Sequence, residues 1–176
     1  HLLIQVADAA KAYEKLSKED SLTGLSNRRE LDRFLAAEFE RAVRARRPLT
    51  VALADLDYFK KINDLHSHAV GDEVLREVAQ ILRAGCRSID MVGRYGGEEF
   101  LLVLPEAGIE DAMQICERLR AAIESHDWSG QGAGLRVTMS FGLAALVDEP
   151  THERLLAVAD QRLYAAKEAG RNRIVA

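Results

Sequence analysis

The sequence predicts a single domain of helices layered on a β-sheet, and three patterns carry that expectation. Segments with apolar residues every three or four positions alternate with short apolar runs of strand length, as helices packed on a sheet require. The run 135–147 alternates, with Val137, Met139, Phe141 and Leu143 on one side and Thr138, Ser140 and Gly142 on the other, as a strand does. Gly96-Gly97 lies between the apolar runs Met91-Val92 and Phe100-Leu101-Leu102-Val103-Leu104, which reads as the turn of a β-hairpin. The two glycines are read as permitting a turn that residues with a Cβ make only under strain.

Residues 1–18 place Leu2-Leu3, Val6, Ala9-Ala10, Tyr13 and Leu16 at helical spacing. Such a helix is too short to be stable alone, so it reads as the end of a longer helix or as half of a two-chain coiled coil. After a polar break at 17–21, Asn27 is the predicted N-cap of a helix with the apolar face Leu31, Phe34, Leu35, Phe39, Ala42 and Val43. It ends before Pro48, near Arg44, Arg46 and Arg47, which suit a helix C-terminus. Residues 49–57 are nearly all apolar, a strand covered on both faces. Residues 71–84 form a helix with Val74, Leu75, Val78, Ile81 and Leu82 inward, and 109–125 another with Ala112, Met113, Cys116, Leu119 and Ile123 inward. Gly130-Gln131-Gly132-Ala133-Gly134 is a flexible loop. Thr151 opens the last long helix, Gly170 stops it, and 173–176 is a final edge strand.

A length of 176 residues suits one domain with a sizeable core, and 48% hydrophobic with 30% charged residues is ordinary for a globular protein. A net charge of −4 argues against nucleic acid as a partner, which would call for a basic stripe. No apolar run nears the roughly 18 residues of a membrane span, and no signal-peptide pattern is present. Cys86 and Cys116 read as buried, reduced thiols of a cytoplasmic protein. The chain opens on His1 rather than Met and reads as a fragment, and the leader helix suggests a missing upstream sensor or dimerisation module.

Glu98 and Glu99 follow the hairpin glycines. Adjacent carboxylates raise each other's pKa unless a cation offsets them, so the tip reads either as a solvated turn or as a site for a hard divalent metal. Asp55, near the end of strand 49–57, shares a face with Val51 and Leu53. A carboxylate continuing a buried face is costly unless compensated. It is read as a strand-terminating acid or helix cap, or as the partner of the hairpin acids around Mg²⁺.

Five blocks, taken together, carry a resemblance: Asp20-Ser21-Leu22-Thr23-Gly24-Leu25-Ser26-Asn27-Arg28-Arg29, the segment 55–64, Gly71-Asp72, Arg94-Tyr95-Gly96-Gly97-Glu98-Glu99-Phe100, and Tyr164-Ala165-Ala166-Lys167 with Gly170-Arg171-Asn172. The chain resembles the GGDEF family, the diguanylate cyclases, in the Gly-Gly-Glu-Glu-Phe variant, from Asp20 to near its end. The resemblance divides it into a signalling helix, 1–19, and a catalytic domain, 20–176. It implies an α+β fold, a central, mostly antiparallel five-stranded sheet flanked by helices, like the palm of polymerases and nucleotidyl cyclases. It implies the reaction 2 GTP → cyclic di-GMP + 2 pyrophosphate across a homodimer, each chain presenting one GTP.

The same resemblance assigns roles. Asp55, the backbone carbonyl of Leu56, Glu98 and Glu99 would hold two Mg²⁺ ions, with Mn²⁺ as an alternative, and Asp55, Glu98 and Glu99 would be the catalytic acids. Lys60, Lys167 and Arg171 would meet the triphosphate; Lys167 and Arg171, four apart, also read as a solvated helix end. Asn63 and Asp72 would read guanine, with Phe59 and Leu75 packing around the base; Asp72 also reads as an ordinary acid in the first turn of a helix. Arg87 and Asp90 would bind cyclic di-GMP as a feedback inhibitor, with Arg118 or Arg120 assisting, or would form a plain surface ion pair. His66 and Ser67 depart from the family, which has an aromatic and a glycine there, and are read with His68 as loop or packing residues. A competing reading is a catalytically weak receptor for cyclic di-GMP, but such members lose hairpin acids or glycines that this chain keeps.

Overall fold

The computed structural model describes residues 2–147 and 150–176. In chain order it contains α1 (Leu2–Lys18), α2 (Arg28–Ala45), β1 (Leu49–Leu56), α3 (Phe59–Leu65), α4 (His68–Gly85), β2 (Met91–Arg94), β3 (Glu99–Pro105), α5 (Ile109–Ser125), β4 (Met139–Ala145), α6 (His152–Glu168) and β5 (Ile174–Val175). The strands lie in the order β2-β3-β1-β4-β5, all antiparallel except β5, which runs parallel to β4. This is the mostly antiparallel five-stranded α+β sheet that was expected.

Central β1 serves two cores because successive side chains point to opposite faces. Ala52, Ala54 and Leu56 pack with Val74, Leu75 and Val78 of α4 and Cys116 and Leu119 of α5. Val51 and Leu53 pack with Leu31 and Leu35 of α2 and Leu155, Ala159 and Leu163 of α6. Each fully buried leucine contributes about 1.5–3 kcal/mol, so these two layers hold the sheet between helices. Val137, Met139, Phe141 and Leu143 all enter the first core, as the alternation predicted. The other side of β4 is also covered: a Cβ on Gly142 would lie 2.1 Å from the Leu163 nitrogen and 2.2 Å from the Ala159 carbonyl oxygen, so only glycine lets α6 approach.

The caps follow from chemistry. The Asn27 side chain accepts from the Glu30 N–H at 3.0 Å while its amide donates to the Ser17 carbonyl, tying the end of α1 to the start of α2. Thr151 accepts from the Arg154 N–H and opens α6, and Gly170 follows its end with φ +117°.

Several expectations change. Helix α3 is additional, and α4 starts at His68 rather than 71, because the Ser67 hydroxyl accepts from the Val70 N–H. Strand β4 is shorter than 135–147 at both ends. Val43 and Met113 are exposed, at 55% and 42%, so α2 and α5 bury narrower stripes; Ile115 is buried on α5 instead. Cys116 is buried, and Cys86 sits just past α4, half-buried, with its thiol pushed by burial up to about 12. On α1, Leu3, Ile4, Val6 and Tyr13 are all exposed; the side chains of Leu2 and Leu16, part of the expected stripe, lie outside the described residues.

Candidate active site

One end of the sheet gathers acids. Antiparallel pairing sets Asp55 directly opposite Glu99 on β3 and opposite Ser140 on β4. The Leu56 N–H donates to the Glu98 carbonyl, which draws the hairpin tip against the end of β1. Burial, then the mutual repulsion with Asp55, Asp160 and Glu98, pushes the Glu99 carboxyl up. Burial raises Asp55 as well, and the Lys167 ammonium opposes the rise. Asp55, Glu98, Glu99 and backbone carbonyls are hard oxygen donors suited to Mg²⁺. Among the described residues no three His, Cys, Asp or Glu side chains converge into a cage. Mg²⁺ characteristically takes one or two carboxylates and completes its shell with water and substrate phosphate, so this donor set fits it.

The hairpin glycines do not act as expected. Neither Gly96 nor Gly97 has a positive φ. A Cβ on Gly97 would meet nothing within 4 Å, and one on Gly96 would meet only the Glu99 side chain, at 3.4 Å. A Cβ would therefore fit at Gly97 and make only ordinary contact at Gly96, so the turn is not one forbidden to other residues.

Sequence reasoning missed Asp57. It is 2% exposed, and its two oxygens accept from the hydroxyls of Thr138 and Ser140, the Lys167 ammonium and the Asn172 N–H, at 2.7 to 3.0 Å. Its signal was available: two residues past Asp55, it shares that residue's face. Lys167 bridges Asp57 at 2.7 Å and Asp55 at 2.8 Å, so its charge sits among the acids. Arg171 lies just past the helix that carries Lys167, beyond the stop at Gly170. It follows α6 with φ +64°, and its guanidinium lies 4.6 Å from the centre of the exposed Tyr58 ring. Lys60 is exposed on α3.

The expected base pocket is partly assembled. A Cβ on Gly71 would lie 1.9 Å from Asn63 Oδ1 and 3.2 Å from the Phe59 ring, so Asn63 and Phe59 both close on Gly71. Asn63 Oδ1 is buried without a hydrogen-bond partner. Asp72 is exposed on α4, beyond its first turn, which removes the helix-dipole explanation for it. Leu75 is a core residue. His66 caps α3 and packs on Gly132; His68 opens α4.

Arg87 and Asp90 form a turn at the opposite end of the hairpin. Asp90, its side chain fully buried, accepts from the Arg87 N–H and from the guanidinium at 2.7 to 3.2 Å, and Arg87 also donates to the Pro105 carbonyl. Glu99 begins β3 and Pro105 ends it, so the acids and this pair are separated by the length of one strand. Arg118 stands near, donating to the Gly85 carbonyl, whereas Arg120 is engaged with Glu117, Glu124 and Asn172.

The chain is similar to known proteins over most of its length. The family model described as "Diguanylate cyclase, GGDEF domain" matches residues 17–173. The response regulator PleD of Caulobacter vibrioides is 43% identical over 164 residues, and the diguanylate cyclase DosC of Escherichia coli 40% identical over 167; each match covers 92% of this chain and 36% of the relative. The chain therefore spans about a third of the length of these curated relatives. The crystal structure of the coiled coil and GGDEF domain of DgcB from Caulobacter crescentus, in complex with c-di-GMP, superposes with a TM-score of 0.92 at 27% identity, covering 98% of this chain and 92% of that one.

Proposed function

This chain belongs to the GGDEF family, and from that premise we propose that it is a diguanylate cyclase domain, condensing two GTP into cyclic di-GMP with release of two pyrophosphates. The observation that carries the reading is the opposition of Asp55 and Glu99 across β1 and β3, with Glu98 at the adjoining tip. Asp55, Glu98, Glu99 and the Leu56 carbonyl are the groups that would hold Mg²⁺, which supplies positive charge to the phosphates and lowers the pKa of the attacking 3′-hydroxyl. Lys167 and Arg171 bring fixed cations to the same end of the sheet for the β- and γ-phosphates, with Lys60 on α3 reaching the same triphosphate. Asn63 Oδ1, an acceptor without a partner, and the exposed Asp72 carboxylate read the guanine N–H donors, with Phe59 against the base.

Each chain supplies one GTP and one set of acids, so the product closes only across a homodimer; the coiled coil named for DgcB supports α1 as the dimer handle. In this reading 1–19 is the end of a signalling helix and 20–176 the catalytic domain, working in the cytoplasm under an upstream sensor. Arg87 and Asp90 form the feedback site, where product exchanges for their mutual ion pair. None of the described helices is long and apolar enough to cross a membrane.

The test is incubation with GTP and Mg²⁺ and identification of the product by mass. Glu98→Gln keeps size and removes charge; synthesis should fall by orders of magnitude with the circular dichroism unchanged. Near-wild-type turnover in that variant would remove the assignment. Tight cyclic di-GMP binding with no synthesis by the wild type would move the chain to the receptor reading.

A further inference from the structure

We propose that Arg120, on α5 and outside the acidic centre, is a positioning residue that holds the phosphate arm of the active site in shape. The proposal rests on the reading above that Arg171 meets the β- and γ-phosphates. Gly170, Arg171 and Asn172 take three successive positive φ values, +117°, +64° and +46°. Glycine adopts such angles freely and asparagine tolerates them, but arginine does so only where neighbouring contacts enforce it. Such contacts are present. The Asn172 N–H donates to Asp57 at 3.0 Å and to the Ser140 hydroxyl at 3.1 Å, fixing the backbone from the sheet side. The Asn172 side chain is gripped from α5: Oδ1 accepts from Arg120 Nη1 at 2.6 Å, and Nδ2 donates to Glu124 Oε1 at 2.9 Å.

Arg120 is itself held. Its fork donates to both Glu117 oxygens at 2.7 and 2.9 Å and to Glu124 at 2.6 Å, and its side chain is only 15% exposed. A planar guanidinium bridging two carboxylates and an amide has one orientation, unlike a flexible ammonium. The consequence is local: with Asn172 clamped on both sides, Arg171 has one exit, over the Tyr58 ring at the start of α3. Neither Arg120 nor its two glutamates pairs with Asp55, Glu98 or Glu99 among the hydrogen bonds and ion pairs of the described residues, so their influence runs through the loop.

The measurement is calorimetric binding of a non-reactive α,β-methylene GTP analogue and of GMP, both with Mg²⁺, to wild type, Arg120→Ala, Arg120→Lys, Asn172→Ala and Arg171→Ala. Arg120→Ala should weaken the triphosphate roughly tenfold, as loss of one charged contact does, and leave GMP, which lacks the β- and γ-phosphates, unchanged. Arg120→Lys should recover only part of the loss, and Arg120→Ala combined with Asn172→Ala should cost no more than either alone. In turnover, KM for GTP should rise while kcat stays near wild type. Equal weakening of both ligands, or additive losses, would mean a merely structural role and overturn the proposal. If Arg171→Ala leaves the triphosphate preference intact, the phosphate reading fails; if Arg171→Ala abolishes it and Arg120→Ala does not, the Arg120 inference alone fails. Should Arg120→Ala not fold, Glu124→Gln and Asn172→Ala carry the same comparison.

Discussion

Asp55 and Asp57 share a face at the end of β1 and share the Lys167 ammonium, yet their carboxyls shift in opposite directions. Burial alone would raise both. At Asp57 the donors Lys167, Ser140 and Thr138 outweigh it and the net shift is down; at Asp55 burial wins and the shift is up. A depressed carboxyl stabilises the fold above its unfolded pKa, near 3.8, and that contribution is lost as pH falls through the folded value. The raised Asp55 has the opposite sign: its contribution is present below that point and lost as pH rises through its folded pKa. Asp57→Asn should therefore cost about 1.5–3 kcal/mol at pH 7, the worth of hydrogen bonds to a charged group. The deficit should shrink below about pH 4 as wild-type Asp57 takes up its proton. Urea denaturation from pH 3 to 7 reads this directly, and a pH-independent deficit would contradict it. The sequence displayed Asp55 as an acid on an apolar face and Glu98 and Glu99 as adjacent acids at a hairpin tip; Asp57 stood on the same face as Asp55, but its role was hidden because its partners Thr138, Ser140 and Asn172 come from elements that only the fold brings together.

Helices α2, α5 and α6 were legible because each is long, periodic and capped by a residue of the expected kind or bounded by glycine or proline. Helix α3 was not, because Phe59–Leu65 spans too few turns to display a period, and Tyr58 enters it at φ +55° without a side-chain cap. The same departure of the chain at Tyr58 shortens β4: β1 ends at Leu56, so 135–138 has no strand to pair with, although Val137 stays buried and the alternation persists. Ser67, where the family has glycine, sits between α3 and α4 at φ +157° and ψ +167°, a region that residues with a Cβ occupy at a cost of about 1–3 kcal/mol. Its hydroxyl recovers part of that cost by capping α4 through the Val70 N–H, a bond whose replacement by glycine loses only a few tenths of a kcal/mol. Glycine also loses more chain entropy on folding, about 0.4–1 kcal/mol. The balance favours Ser67→Gly by about 1 kcal/mol, seen as a higher denaturation midpoint at unchanged m-value. A destabilised variant would show that the hydroxyl cap outweighs the backbone strain.

At the scale of the whole molecule, α1 is the element whose side chains have least to pack against. Leu3, Val6 and Tyr13 are 85%, 60% and 76% exposed, and an isolated helix of this length is marginal in water. Its junction is nonetheless stitched to the active hairpin: Asn27 binds the Ser17 carbonyl, and Arg94 reaches from β2 to both Asp20, just past α1, and the Gly97 carbonyl at the tip. Covering the exposed stripe with a second copy would stabilise the helix and deliver two acid sets to one product. Synthesis should then rise more steeply than linearly with protein concentration while dimers are scarce, and linearly once they are not. Fusing a strong parallel coiled coil before His1, in heptad register with Val6, Ala9 and Tyr13, should raise the effective concentration of the two domains to roughly millimolar. Specific activity at low protein should increase, and a one-residue change of register should lower it again by turning the two active sites apart. Sedimentation during turnover distinguishes the alternatives: rate strictly proportional to protein at every concentration, with monomer alone in the cell, would exclude a reaction that closes between two chains.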